Sequence, residues 1–178
     1  MALMCFHASR SDSRLTPEGE IVLLPLQDRT KWNHHLISEG NEYMNKAAFG
    51  DRISSYHIEA AIAFEHCVAT SFEKTNWKRI LELYEWLCEI APSPIAEMNK
   101  AVVILHLFGA KRALLALQNI SNKNKLETFN IYHCLQGEIH SKLLEIDQAK
   151  TFFQKAISLT QADQEKNLLR EKIIALSN

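Results

Sequence analysis

Along most of the chain, apolar residues recur at three- and four-residue intervals, the spacing that gathers them on one face of an α-helix. The clearest run is Trp77, Ile80, Leu81, Tyr84, Leu87, Cys88 and Ala91, with Lys78, Arg79, Glu82, Glu85 and Glu89 on the other face. Thr75 or Asn76 stands where its cap belongs. Ahead of it, Ala60-Ala61-Ile62-Ala63-Phe64 is apolar nearly all round, so the helix starting at Ser54 or Ser55 is predicted to be covered on more than one side. Trp32, Leu36, Tyr43 and Ala47 predict another helix from Asp28, capped by Asp28 or Thr30 and ended by Gly50-Asp51. Between Ser11 and Gln27 the period lapses. Thr16-Pro17-Glu18-Gly19 is a turn signature and Ile21 to Leu24 a short apolar run, which predicts a loop packing its leucines on a neighbouring helix. The opening MALMCFHASRS reads as helix with no capping residue ahead of it, and so predicts a segment cut from a longer protein.

Beyond Pro92 the helices pair. Ser93-Pro94 is a cap followed by proline at the first helical position, where its missing N–H costs nothing. Helices are predicted from Pro94 to Phe108 and from Ala110 to Ile120, turning at Gly109, with Ala113 and Leu117 at the small and large packing sites. After the polar link Ser121 to Lys125 comes NIYHCLQGEIHSKLLEIDQAKTFFQKAISLT, Asn130 to Thr160. With Gly137 at the eighth position of a 34-residue helix-turn-helix repeat, Ala149, Phe153 and Ala156 occupy the small, aromatic and small positions of a tetratricopeptide (TPR) repeat. Two helices approach closely only where Gly and Ala remove bulk, and an aromatic ring then fills the space beside the crossing. Ile80, Tyr84, Leu87 and Pro92 stand at matching places, of which only the aromatic and the final proline are of consensus type. DQEKNLLREKIIAL, Asp163 to Leu176, reads as a capping helix with a charged outer face.

The expected fold is therefore all-α: a TPR-like stack of antiparallel helix hairpins (an α-α superhelix) with an extra N-terminal helix and a C-terminal capping helix. Residues 1–28 are read as the end of a preceding helix plus a loop, 29–50 as the extra helix, and 51–178 as the repeats with their cap. The repeats proper are 54–92, 94–120 and 130–161. The 178 residues, 47% of them hydrophobic, with only five Gly and four Pro, suit a helical protein with one good core. The formal net charge of -1 disfavours direct nucleic-acid binding, since such surfaces are strongly basic. Cys5, Cys67, Cys88 and Cys134 are far apart and form no C-x-x-C pair, as expected of free, mostly buried thiols in a reducing cytoplasm. The longest apolar run, Ala101 to Phe108, falls far short of the ~20 residues of a membrane span.

Chemistry is sparse. His34 and His35 are adjacent and diverge on a helix, and no H-E-x-x-H occurs. His133 and His140 share a face with Gly137 and supply two ligands at best, so no metal site and no cofactor is expected. No G-x-S-x-G, P-loop or dinucleotide fingerprint is present, and Cys67 diverges from His66 by roughly 100° around the helix. No catalytic residues are assigned, and the chain is not expected to be an enzyme. What remains is contact surface. In a TPR stack the first helix of each pair lines the groove, and helix spacing turns Asn99, Val103 and His106 of one repeat and Glu138, Ser141 and Lys142 of the next toward it. An amide such as Asn99 holds a peptide backbone or ties its own helix to a neighbour. A second candidate surface is Gln27 to Trp32, where Asp28, Arg29 and Trp32 combine charge with an aromatic ring. The competing reading there is a capped helix with Trp32 in the core, which accounts for Asp28 and Trp32 and leaves Arg29 unexplained.

ALMCFHASR, IVLLPLQDRTKW, IEAAIAFEH, TNWKRILELYEWLCEIAPSPIAEMNKAV and AISLTQADQEKNLLREKI, in that order, resemble the C-terminal extension of a group of bacterial extracytoplasmic-function (ECF) sigma factors. In that group, sigma regions two and four are followed by a TPR-containing region of about this size. Leu26 departs from the family pattern, which has an acidic residue before Gln27-Asp28-Arg29. The resemblance implies a cytoplasmic regulatory portion acting in transcription initiation, with the sigma region two and four domains of the same polypeptide or RNA polymerase as partners. The alternative is a free-standing TPR adaptor that binds a peptide or protein tail.

Overall fold

The computed structural model describes residues 1–50 and 52–177, and the chain divides into two compact units at Pro92/Ser93. The division falls inside the 51–178 segment that the periodicity treats as one array, between the two prolines that punctuate it. All described regular structure is helical. The nearest thing to a strand among the described residues is a lone antiparallel bridge between Leu15 and Ile21.

The N-terminal unit contains α1 (Ala2–Ala8), α2 (His34–Ala47), α3 (Ser55–Val68) and α4 (Trp77–Ile90). Helix α3 packs against α1, α2 and α4, which explains its all-round apolar sequence. Helix α2 begins five residues later than expected. Asn33 caps it by accepting from the Leu36 N–H at 3.1 Å, while Asp28 caps a separate 3-10 turn, Arg29–Lys31. Asp51, read as part of the stop of this helix, lies outside the described residues. Ser54 caps α3 with His57 in place of the usual Glu, the Ser54 N–H donating to His57 Nδ1 at 3.1 Å, and Asn76 caps α4.

The 11–27 loop turns at Gly19 (φ 86°), where the Gly19 N–H reaches the Thr16 carbonyl. Its leucines do not pack as expected: Leu15, Leu23 and Leu26 are exposed, Leu26 to 75%. Leu24 alone of these leucines is half-buried; the bridge and the 3-10 turn at Leu24–Leu26 tie the loop to itself, and Arg14 holds it to α1 through the His7 carbonyl at 3.3 Å. One close helix approach went unread in the sequence. A Cβ on Gly40 would meet Phe6 Cε1 at 2.7 Å, and that ring, wholly buried, lies 5.7 Å from the Phe64 ring.

The C-terminal unit contains α5 (Pro94–Phe108), α6 (Ala110–Gln118), α7 (Asn130–Lys142), α8 (Ile146–Leu159) and α9 (Asp163–Ala175), each packed on the next. Ser93 caps α5 through its hydroxyl, and Gly109 (φ 82°) makes the one-residue corner into α6. The link after α6 is not irregular throughout: Lys123–Leu126 form a 3-10 turn that buries Leu126. Ala113 and Leu117 of α6 pack in one apolar cluster with Ala101, Leu105, Leu135 and Ile139. Ala149, Phe153 and Ala156 of α8 form a second cluster with Leu169 of α9.

Candidate functional site

The 28–32 segment is committed largely to the protein's own backbone. Asp28 accepts from both the N–H and the hydroxyl of Thr30, and those bonds hold its carboxyl below its ordinary range. Arg29 Nη1 donates to the carbonyls of His66 and Ala69, at 2.6 and 2.7 Å, where α3 ends and its last carbonyls lack helical partners. The Arg29 guanidinium lies 4.4 Å from the centre of the Trp32 ring, which is only 3% exposed. The residue that the capped-helix reading left unexplained thus closes the end of a helix.

The predicted groove positions of the C-terminal unit fall in different settings. Asn99 is half-buried and makes no side-chain hydrogen bond among the described residues. Val103 is buried and offers no surface. His106 and Lys142 come near each other: partial burial and then the Lys142 charge push the imidazole below its ordinary value. Glu138 is engaged by Lys172 of α9 in an ion pair. One turn away on α7, Cys134 is pushed up to about 11, chiefly by burial and then by Glu165 and Glu138. Asn130 donates to Glu165 at 2.7 Å, so the 130–134–138 face of α7 is stitched to α9.

A different face of α7 lines open space. Tyr132, Gln136 and His140 lie roughly 200° around the helix from Asn130, Cys134 and Glu138. They form the floor of a cleft of about 360 Å³, walled by Leu114, Leu117 and Gln118 of α6 and by Gln148 and Phe152 of α8, with Lys123 and Glu145 also lining it. That volume lies at the lower end of the ~300–1,000 Å³ typical of ligand sites. His140 Nδ1 stands 2.5 Å from Glu145 Oε2, and its ring stacks on Phe152 at 5.0 Å. Phe152 also stacks on buried His133 at 6.4 Å, and His133 Nε2 meets the Glu127 carbonyl at 2.9 Å. His140 is therefore spent on a turn and on packing, while His133, bonded through Nε2, keeps a buried Nδ1 with no hydrogen-bond partner among the described residues. Among the described residues no group of three or more His, Cys, Asp or Glu is arranged to hold a metal ion. Gln136 Oε1 is buried with no hydrogen-bond partner among the described residues.

Sequence reasoning missed Gln118, Lys123, Gln136, Glu145 and Gln148. The four-residue spacing of Tyr132, Gln136 and His140 was a visible signal that they share a face, but nothing in the sequence said that α6 and α8 leave that face open.

Residues 1–48 match the model of a family of unknown function, DUF6596. Nearly the whole chain is similar to an uncharacterized protein of Rhizobium meliloti (strain 1021), 33% identical over 172 residues, which is 97% of this chain and 40% of that protein. The chain thus spans about two fifths of the length of the curated relative it matches. No solved structure matches it. Among the described residues no helix is long and apolar enough to cross a membrane.

Proposed function

We propose that the chain is a TPR-like docking module that serves as the regulatory C-terminal portion of an ECF sigma factor. In this reading it works in the cytoplasm, by binding rather than by catalysis, and docks on the sigma region two and four domains or on RNA polymerase. The observation that carries the reading is the α7/α8 hairpin: Gly137 admits the Phe153 ring, with Ala149 and Ala156 fully buried on either side, the small, aromatic, small arrangement that the TPR reading expects. The similarity of nearly the whole chain to two fifths of a longer protein fits a module that works beside other domains. The ordered segments that resemble the sigma-factor extension support sigma regions two and four as those domains.

The test is to mix this chain with separately expressed sigma regions two and four encoded directly ahead of it in its genome. Co-elution of the separately expressed pieces is the expected result. An in-frame stop just before Met1 with no sigma-coding sequence ahead of it, or failure of the pieces to associate, overturns the reading. The free-standing adaptor is kept as the second reading because of the open cleft between α6 and α8. It predicts saturable binding of a peptide together with indifference to RNA polymerase.

A further inference from the structure

We infer that Arg10, Arg14 and Arg29, gathered about the Trp32 indole in the N-terminal unit, form a binding site for a phosphate group. The guanidinium carbon of Arg10 lies 5.7 Å and that of Arg29 4.4 Å from the centre of the same indole ring, and Arg14 is tethered to α1 by its bond to the His7 carbonyl. Among the described residues none of the three has a carboxylate within ion-pair distance, and the Arg10 side chain has no hydrogen-bond partner. Arg29 spends Nη1 on two carbonyls and leaves Nη2 buried without a partner among the described residues, as Trp32 leaves Nε1. Guanidinium groups drawn partly out of water without a counter-charge are costly, and folded chains seldom leave buried donors unmet. A bound anion answers both.

Charge selects the anion. Glu73 is the carboxylate whose field reaches Arg29, so three guanidinium charges against one carboxylate leave a surplus of two. A phosphate group carries about -1.5 to -2 near neutral pH and matches that surplus, whereas a carboxylate or chloride cancels half of it. Its oxygens also suit the planar donor fork of arginine. The surplus registers on the neighbours: burial and then the charges of Arg10 and Arg14 hold the His7 imidazole below its ordinary value, and burial followed by Arg14 and Arg29 lowers Arg10. Arg14 is exposed and Arg10 half-buried, so the group arrives from solvent at these two. Arg10, held by no hydrogen bond among the described residues, swings aside to let an oxygen reach Arg29 Nη2. The site stands whether or not the docking reading does.

The experiment titrates the whole isotope-labelled chain with sodium phosphate near neutral pH and follows the indole N–H signal of Trp32 by NMR, with sodium chloride and sodium acetate at matched ionic strength as controls. Trp32→Phe assigns the signal among the three tryptophans. Arg10→Gln and Arg14→Gln are the test variants, and Arg29 is left in place because it closes the end of α3. The expected result is a saturable shift with phosphate alone, a melting midpoint raised by phosphate, and affinity about tenfold weaker or more in each variant. Without phosphate, Arg10→Gln melts no lower than the parent, since it removes an uncompensated charge. Should that variant fail to fold, Arg14→Gln, at an exposed position, decides alone. An equal shift in chloride, acetate binding as tightly as phosphate, or variants that keep the parent's phosphate affinity overturn the inference. Phenyl phosphate separates the sources of the group: tighter binding than inorganic phosphate assigns the site to a phosphate monoester, and equal or weaker binding assigns it to free phosphate.

Discussion

The ring of Phe153 lies so close against the backbone of Gly137 that a Cβ there would sit 2.5 Å from Cε1 and 2.6 Å from Cδ1. Nothing larger than glycine fits unless the ring moves, and the ring is 2% exposed in a cluster with Ala149 and Ala156. The pairing of Gly40 with Phe6 repeats the device in the N-terminal unit.

Gly137→Ala gains about 1 kcal/mol of helix propensity and loses ~1–3 kcal/mol to overpacking. The overpacking dominates because three ring atoms lie within 3 Å of the new carbon. The expected outcome is a net loss of up to about 2 kcal/mol in denaturant unfolding, partly restored in the double variant with Phe153→Leu. A stability gain in the single variant would show that the ring relaxes freely.

Arg29→Ala removes two short charge-assisted bonds to the end of α3 and the stacking on Trp32. A loss of about 2–4 kcal/mol follows, at ~1.5–3 kcal/mol for a bond to a charged group discounted for partial exposure. Arg29→Lys keeps the charge without the fork and recovers only part of it. Urea unfolding decides the matter: an unmoved midpoint would mean that the clamp contributes nothing and that the side chain is available to a partner.

Asn99→Ala should behave in the opposite way. Its amide makes no hydrogen bond among the described residues, so the unfolding midpoint is expected to stay within about 0.5 kcal/mol of the parent. If Asn99 contacts the sigma domains, co-elution with them falls in the variant while the far-UV signal is unchanged. Retained co-elution would remove Asn99 from the contact surface.

The lowered His106 value carries a direction for pH. Folding favours the neutral imidazole, so at low pH the unfolded chain binds more protons than the folded one. The stability linked to this residue is therefore complete above the ordinary histidine value near 6.5 and is lost as pH falls through and below it. An NMR titration should place His106 below that value and find it moved upward in Lys142→Gln. An unmoved titration would separate the two residues.

Much of the helical order was legible because local chemistry marks it. Asn76, Ser93 and Gly109 sit where caps and corners demand them, and the small and aromatic residues of α8 announce a close helix crossing in advance. The start of α2 was misread because Asp28 is itself a capping residue, and only the geometry shows that it caps a 3-10 turn and leaves the helix to Asn33. The leucines of the 11–27 loop were misplaced for a related reason: apolarity says what burial would gain, not whether a neighbour is within reach.

Sequence by itself determined the helices, their punctuation and the glycine that lets α7 and α8 meet, because periodicity, caps and steric allowance are set within a few residues of each other. Tertiary structure decided what Arg29 does, which face of α7 is tied to α9 and which lines a cleft, and that three glutamines from three helices share one space. Those outcomes depend on distances between residues far apart in the chain, up to the 40 positions separating Arg29 from the Ala69 carbonyl it holds. No local pattern encodes such a distance; only the packing of the whole helices sets it.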